Sequence, residues 1–353
     1  MEKILLNQTP LRTCKNYNVN NISFEEQIPS KIGDFKNLKI LQQTGKDEII
    51  QNVKFGDFEI KYGSGLISQI KENSNQNIRI NIKSKMNKSI KIEFDFDDEN
   101  LNLIENIEIV AEENTTSDIY ILYRQRNEAK GFHNGLIRVF AKDNSKVVLN
   151  IINLMNTQSS NILSIDGKIE NNANLKYNII DFGGKNSITN LYTNLSGVEA
   201  NNSINSIYLG GNNEKIDINY IAECFGEKAK INMDIQGALK DEAKKCFKGT
   251  IDFKKGCKKA FGNEVENCIL LSDKAKSLAV PMLLCSEEDV EGNHATSSGK
   301  VGNKELFYIM TRGFSKKEAE KLLVRAKFNS ILNNIAEQEV KNEILYEIDQ
   351  RLS

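Results

Sequence analysis

Histidine is almost missing from this chain. Its 353 residues hold two, His133 and His294, so chemistry that rests on imidazole has few places to reside. An excess of charge is missing too, with 47 basic against 48 acidic side chains and a net charge of -1. Nucleic-acid binders carry a basic stripe that releases counterions. Here Lys254, Lys255, Lys258 and Lys259 sit among comparable numbers of carboxylates and read as a solvated face, so nucleic acid is not an expected partner. Long apolar runs are absent, since those near Ile119 and Leu278 fall far short of a membrane helix. The opening MEKILLNQTPL, with an acid at Glu2, lacks a signal-peptide core. The expectation is a cytoplasmic protein that does not enter a membrane.

The six cysteines form no CxxC pair, which fits reduced thiols better than a disulfide framework. Cys246, Cys257 and Cys268 recur every eleven residues. That spacing either stacks soft ligands on successive rungs of a coiled sheet or marks three inert buried thiols. The common enzyme templates fail in turn. Gly183-Gly184-Lys185-Asn186-Ser187 lacks the spaced first glycine of a phosphate-cradling loop, and there is no G-x-S-x-G elbow, HExxH or dinucleotide fingerprint. The one dense carboxylate cluster is Glu287, Glu288 and Asp289. It is either a hydrated turn or, in the alternative reading, the acid-base or calcium site of a β-helical carbohydrate-active enzyme. His133, in GFHNG, reads as a turn histidine.

What is abundant is alternation. Residues 1–70 read as a separate N-terminal α/β region with a Pro-interrupted segment at Pro29 and glycine-punctuated pieces from Phe55 to Gly65. From residue 71 to 310 the apolar period is two: Ile78, Ile80 and Ile82, then Ile90, Ile92, Phe94 and Phe96, and onward through Ile231 to Ile235. Asp166-Gly167, Gly183-Gly184 and Gly210-Gly211 supply turn signals between the runs. Many short strands without helical crossovers mean a mainly β fold: a sandwich, barrel or β-helix. Asparagine between the apolar positions favours a β-helix, because it tolerates left-handed backbone and can stack at corners.

Composition turns helical after Gly313. Ser315 and Glu318 form a capping box, and Ala319, Leu322, Leu323 and Ala326 fall on one face at helical spacing. The tail from Ile331 to Leu352 repeats the signal and predicts a second amphipathic helix. Residues 311–353 thus form a C-terminal helical domain that either caps the strand body or docks a partner. Between body and helices, Pro281 to Phe314 places His294 after an acidic run and before a strand-like block at Leu306 to Tyr308.

Several motifs follow one another in this half: FKGTIDF at 247–253, ILLSDKA at 269–275, E-D-V at Glu288 to Val290, HATSSG from His294, LFY from Leu306 and RGFSKKEAE from Arg312. In that order they resemble the C-terminal core of the SufB and SufD family of iron-sulfur cluster assembly proteins. The opening TPLRTCKNYNVNN, Thr9 to Asn21, also resembles SufD starts. Ala295 stands where SufB has a glutamate, and the upstream SufB cysteine ligand falls on Glu266, so the likeness is to the SufD branch.

The resemblance implies a right-handed parallel β-helix core and a non-catalytic scaffold subunit. It would pair with SufB through the β-helix and with the ATPase SufC through Arg312, Phe314, Ala319, Leu322 and Leu323. It also implies that His294 faces SufB as a candidate metal ligand for a nascent iron-sulfur cluster at the seam. Cys268 is a spare thiolate there, the isolated chain binds no cofactor stably, and it can form a homodimer.

Overall fold

The computed structural model of the protein describes residues 5–11, 19–20, 22–24, 28–29, 32–41, 47–85 and 89–353. Cys14 and most of the Thr9 to Asn21 motif lie outside the described residues. The N-terminal part contributes β1 (Leu5–Leu6), β2 (Ile22–Ser23), β3 (Leu38–Leu41), β4 (Glu48–Gln51) and α1 (Ile67–Asn73). The body runs through β5 (Gln76–Ile82), β6 (Ile90–Phe96), β7 (Asn102–Ala111), β8 (Thr116–Gln125), β9 (Phe132–Ala141), β10 (Lys146–Leu154), β11 (Ser160–Ile169) and β12 (Asn174–Asp181). It continues through β13 (Asn186–Leu195), β14 (Asn201–Gly210), β15 (Lys215–Cys224), β16 (Lys230–Leu239), β17 (Lys244–Phe253), β18 (Ala260–Leu270), β19 (Lys276–Cys285) and β20 (Val290–Lys300). Three helices close the chain: α2 (Asn303–Met310), α3 (Lys316–Leu332) and α4 (Gln338–Arg351).

Even-numbered strands from β6 to β20 stack in one sheet and odd-numbered strands from β5 to β19 in the other. All of these neighbours pair in parallel, giving a β-solenoid of about eight turns, as the alternation predicts. One coil takes 28 residues between His133 and Asn161 and 26 between Asn161 and Ser187. The period of two puts alternate isoleucines between the sheets, so Ile78, Ile107, Ile137, Ile165 and Leu191 share one interior core.

Asparagine works at the corners as expected. Asn114, Asn144 and Asn172 have φ of 61°, 58° and 53°, and Glu199, Lys228 and Lys259 continue the left-handed series. The N–H of each of these six donates to a carbonyl in the corner of the next coil, such as Asn114 to Asp143 and Asn144 to Asn171, which fixes the stacking.

Some sequence expectations are corrected. Asp166-Gly167 is no turn but lies inside β11, where a Cβ on Gly167 would come within 2.2 Å of the Tyr177 hydroxyl. His133 is no turn residue either. It sits in β9, fully buried between the sheets, its Nδ1 2.6 Å from Asn161 Oδ1 and its ring 4.2 Å from that of Tyr123. Leu306 to Tyr308 belong to α2 rather than a strand, and Ile331 lies in the last turn of α3, so the tail helix starts only at Gln338.

The N-terminal part is not separate. β3 and β4 pair antiparallel with β6 and β5, closing the first coil, and the ring of Phe35 lies 6.0 Å and 5.1 Å from those of Phe94 and Phe96. Further on, Asn7 is tied to the outer face of the odd-numbered sheet. Its amide donates to Asp217, and buried Lys248 donates to its carbonyl at 2.7 Å.

The helices α3 and α4 cover the outer face of the even-numbered sheet. Val324, Phe328, Ile331, Ile344 and Ile348 pack with Ile152, Ile180, Phe182 and Ile207, which is why those strands are apolar on both faces. Among the described residues no helix is long and apolar enough to cross a membrane.

Candidate functional site

The two ends of the solenoid differ. At the far end β20 pairs only with β18, and β19 only with β17, so each leaves one row of main-chain N–H and C=O groups without a strand partner among the described residues. Almost all of the eleven residues of β20 are exposed, including His294. No hydrogen bond holds its imidazole among the described residues, so its nitrogens are free for an external ligand.

Register pairs His294 with Glu264, Thr296 with Glu266 and Ser298 with Cys268, all at the inward-facing parity of β18. Glu264 is 1% exposed, and neither of its carboxylate oxygens has a hydrogen-bond partner. Burial, and then the charge of Glu266, push its carboxyl up to about 8. Glu266 is itself engaged: Lys245 Nζ lies 2.8 Å from its Oε1, with both side chains fully buried, and the Tyr208 hydroxyl donates to the same oxygen at 2.7 Å. Cys268 is 4% exposed and burial raises its thiol, which disfavours the thiolate. The floor under His294 is therefore a buried polar layer, of which the sequence analysis named Glu266 and Cys268 but not Glu264 or Lys245. Its signal was present: Glu264, Glu266 and Cys268 occupy the same alternate positions as the apolar residues Ile231 to Ile235 do one strand below.

The second exposed feature lies on the helices. Phe307, Tyr308, Met310, Phe314 and Leu322 are 70%, 60%, 42%, 44% and 39% exposed, a concentration of large apolar surface on α2, the turn after it and α3. The turn is made by Gly313 at φ 95°, and the capping box of Ser315 and Glu318 then starts α3. Arg312 lies over the Tyr308 ring at 5.3 Å and donates to its hydroxyl at 3.1 Å, stiffening the patch. Of the residues predicted for docking, Arg312, Phe314 and Leu322 are exposed and Leu323 is half-buried. Ala319 is fully buried within the chain and offers a partner no surface.

The remaining candidates disperse. Glu287 accepts the Gly256 N–H at 2.9 Å, which holds its carboxyl below the usual range, the reverse of what a general acid needs. Glu288 and Asp289 are exposed on the same turn. Among the described residues no group of three or more His, Cys, Asp or Glu side chains is placed to hold a metal ion. The eleven-residue cysteine spacing stacks nothing. Cys246 faces outward on β17, Cys257 lies buried in the following corner, and Cys268 faces inward on β18, all within one coil.

Residues 94–327 match the family model described as SUF system FeS cluster assembly, SufBD core domain. The chain is 32% identical over 128 residues to the iron-sulfur cluster assembly protein SufD of Bacillus subtilis, covering 36% of this chain and 29% of that protein. It is 24% identical over 166 residues to SufD of Escherichia coli, covering 46% and 38%. A SufBD family protein of Pyrococcus horikoshii is 30% identical over 132 residues, covering 37% and 29%. The matches thus span well under half the length of these relatives. With the family model covering most of the solenoid and α3, the chain belongs to the SufB/SufD family of iron-sulfur cluster assembly proteins and is SufD-like within it.

Proposed function

We propose that this chain is a non-catalytic scaffold subunit of a cytoplasmic iron-sulfur cluster assembly complex, pairing with SufB through its solenoid end and with the ATPase SufC through its terminal helices. The observation that carries the reading is the open end itself. A long exposed edge strand is an aggregation hazard that folded proteins normally pair, charge or cover, and β20 carries His294 in its middle. A sister solenoid adding strands there would cover the edge and bury the imidazole at a seam, where neutral nitrogen is a suitable iron ligand. The nascent cluster is cargo in this reading, and His294 serves as one of its ligands.

The apolar patch on α2 and α3 supports the second contact. One face of α3 is spent on the solenoid while Leu322 stays outside, so the helix joins the body to whatever binds the patch. Movement of a bound ATPase would then be transmitted to the solenoid end as a shift between two complex states. The test is co-purification from native cells at moderate salt. A tagged chain should retrieve both SufB and SufC, and recovery of neither refutes the assignment.

A further inference from the structure

At the capped end of the odd-numbered sheet, opposite β19, residues 53–58 and α1 enclose a cavity of about 460 Å³ over the outer face. Val53, Phe55 and Phe58 form its wall, α1 contributes Ile70, and the floor is Asn77 and Asn106. No lining residue belongs to β20 or to the α2–α3 patch. Strand parity makes the floor. Ile78 and Ile107 point into the solenoid core, so Asn77 and Asn106 beside them face outward, and register sets the two asparagines side by side.

Each amide is half spent. The Ser74 hydroxyl donates to Asn77 Oδ1 at 2.9 Å, and the Arg138 guanidinium donates to Asn106 Oδ1 at 3.3 Å. Both oxygens are therefore engaged, while neither side-chain NH2 group has a hydrogen-bond partner among the described residues. Asn106 is 3% exposed, so an unmet donor there is costly. Two such donors, on strands about 4.8 Å apart, suit the two oxygens of one planar acceptor and exclude a ligand that brings its own hydrogens to that spot.

The wall is held in place. Arg138 lies 4.7 Å and 4.3 Å over the Phe55 and Phe58 rings, and Arg79 lies 5.3 Å over Phe55. Both guanidiniums are ion-paired with Glu108, at 2.6 Å and 2.7 Å, so their charge is directed away from the cavity. At the mouth Lys71 lies 3.3 Å from Asp57, which leaves exposed Lys54 as the one uncancelled charge of the lining. Recognition thus rests on the paired amides and the apolar wall, not on a surplus of cations.

We propose that this cavity binds a small organic carboxylate, one oxygen on Asn77 Nδ2 and the other on Asn106 Nδ2, with a ring-sized apolar body against Val53, Phe55, Phe58 and Ile70. The site stands or falls separately from the scaffold role.

The probe is benzoate, titrated onto the purified full chain and followed by 1H–15N spectra. The side-chain NH2 signals of Asn77 and Asn106 should both move and saturate. In Asn106→Asp the new carboxylate still accepts from Arg138 but offers the ligand no donor, so affinity read on the backbone amides of residues 53–58 should weaken about tenfold or more. That variant keeps the Arg138 contact and should keep the wild-type urea midpoint. A second comparison needs no variant: benzyl alcohol, which keeps the ring and lacks the carboxylate, should bind the wild-type chain about tenfold more weakly. Equal benzoate affinity in Asn106→Asp, equal affinity for benzyl alcohol, or shifts that never saturate overturn the proposal.

Discussion

Replacing Glu214 by glutamine should make the protein more stable at pH 8 while leaving it unchanged near pH 4. Glu214 is 3% exposed at the turn between β14 and β15, where its Oε2 accepts the Gly211 N–H at 2.7 Å and its Oε1 has no partner. Burial raises its carboxyl from 4.5 to about 7, against the opposing pull of the Gly211 N–H and of Arg351. Between those two values the folded chain keeps a proton that the unfolded chain has released. Unfolding free energy therefore falls as pH rises through this window, and the loss is complete above about pH 7. At about 1.4 kcal/mol per unit, the shift corresponds to roughly 3 kcal/mol. Glutamine can still accept from Gly211 and never ionises, so it escapes that loss. Urea unfolding of both proteins at pH 5 and pH 8 reads the effect, and other titrating groups cancel in the comparison. A gap that stays constant between the two pH values refutes the reasoning.

Leu322→Asp should fold normally, because the side chain is already 39% exposed, yet lower SufC capture by about 30-fold or more when its patch is desolvated; unchanged capture in a pull-down removes α3 from the dock. His294→Ala should keep the urea midpoint and SufC binding but reduce cluster yield on the assembled complex, read by visible absorption, and an undiminished yield takes the histidine out of the seam. Phe328→Ala, which removes a buried ring 6.2 Å from that of Phe182, should cost about 3 to 5 kcal/mol in the same unfolding assay; a cost under about 1 kcal/mol would mean that α3 is not part of the cooperative body.

Much of the solenoid is legible because its interior demands a period of two from every coil. Ile78 to Ile82 and Ile90 to Phe96 announce their strands, and Asn114, Asn144 and Asn172 announce the corners. β20 is not legible in the same way. VEGNHATSSGK has little apolar content, and it needs little, because no coil lies above it among the described residues; its pairing there is with β18 alone. The α2 block LFYIM is short enough to suit either period, and its exposure, not its pattern, carries its meaning. His133 misleads because its flanking glycines look like a turn. Gly135 is there for room: a Cβ would come within 2.7 Å of His133 Nε2 and 2.8 Å of Glu105 Oε1. His294 is visible through the family likeness, and Glu264 and Glu266 beneath it keep the alternate spacing, but the engagement of Glu266 by Lys245 and Tyr208 depends on cross-strand neighbours that residue spacing does not encode.

The antiparallel cap formed by β3 and β4 has a consequence for assembly size. Reversed strand direction and the Phe35 plug make one end of the coil unlike the other: β3 and β4 present short antiparallel edges of four residues each, against eleven in β20 and ten in β19. A sister body adding to the long parallel edges would find no matching surface at the short reversed ones, a mismatch that favours pairs over chains. A coil open at both ends would polymerise head to tail into a fibre.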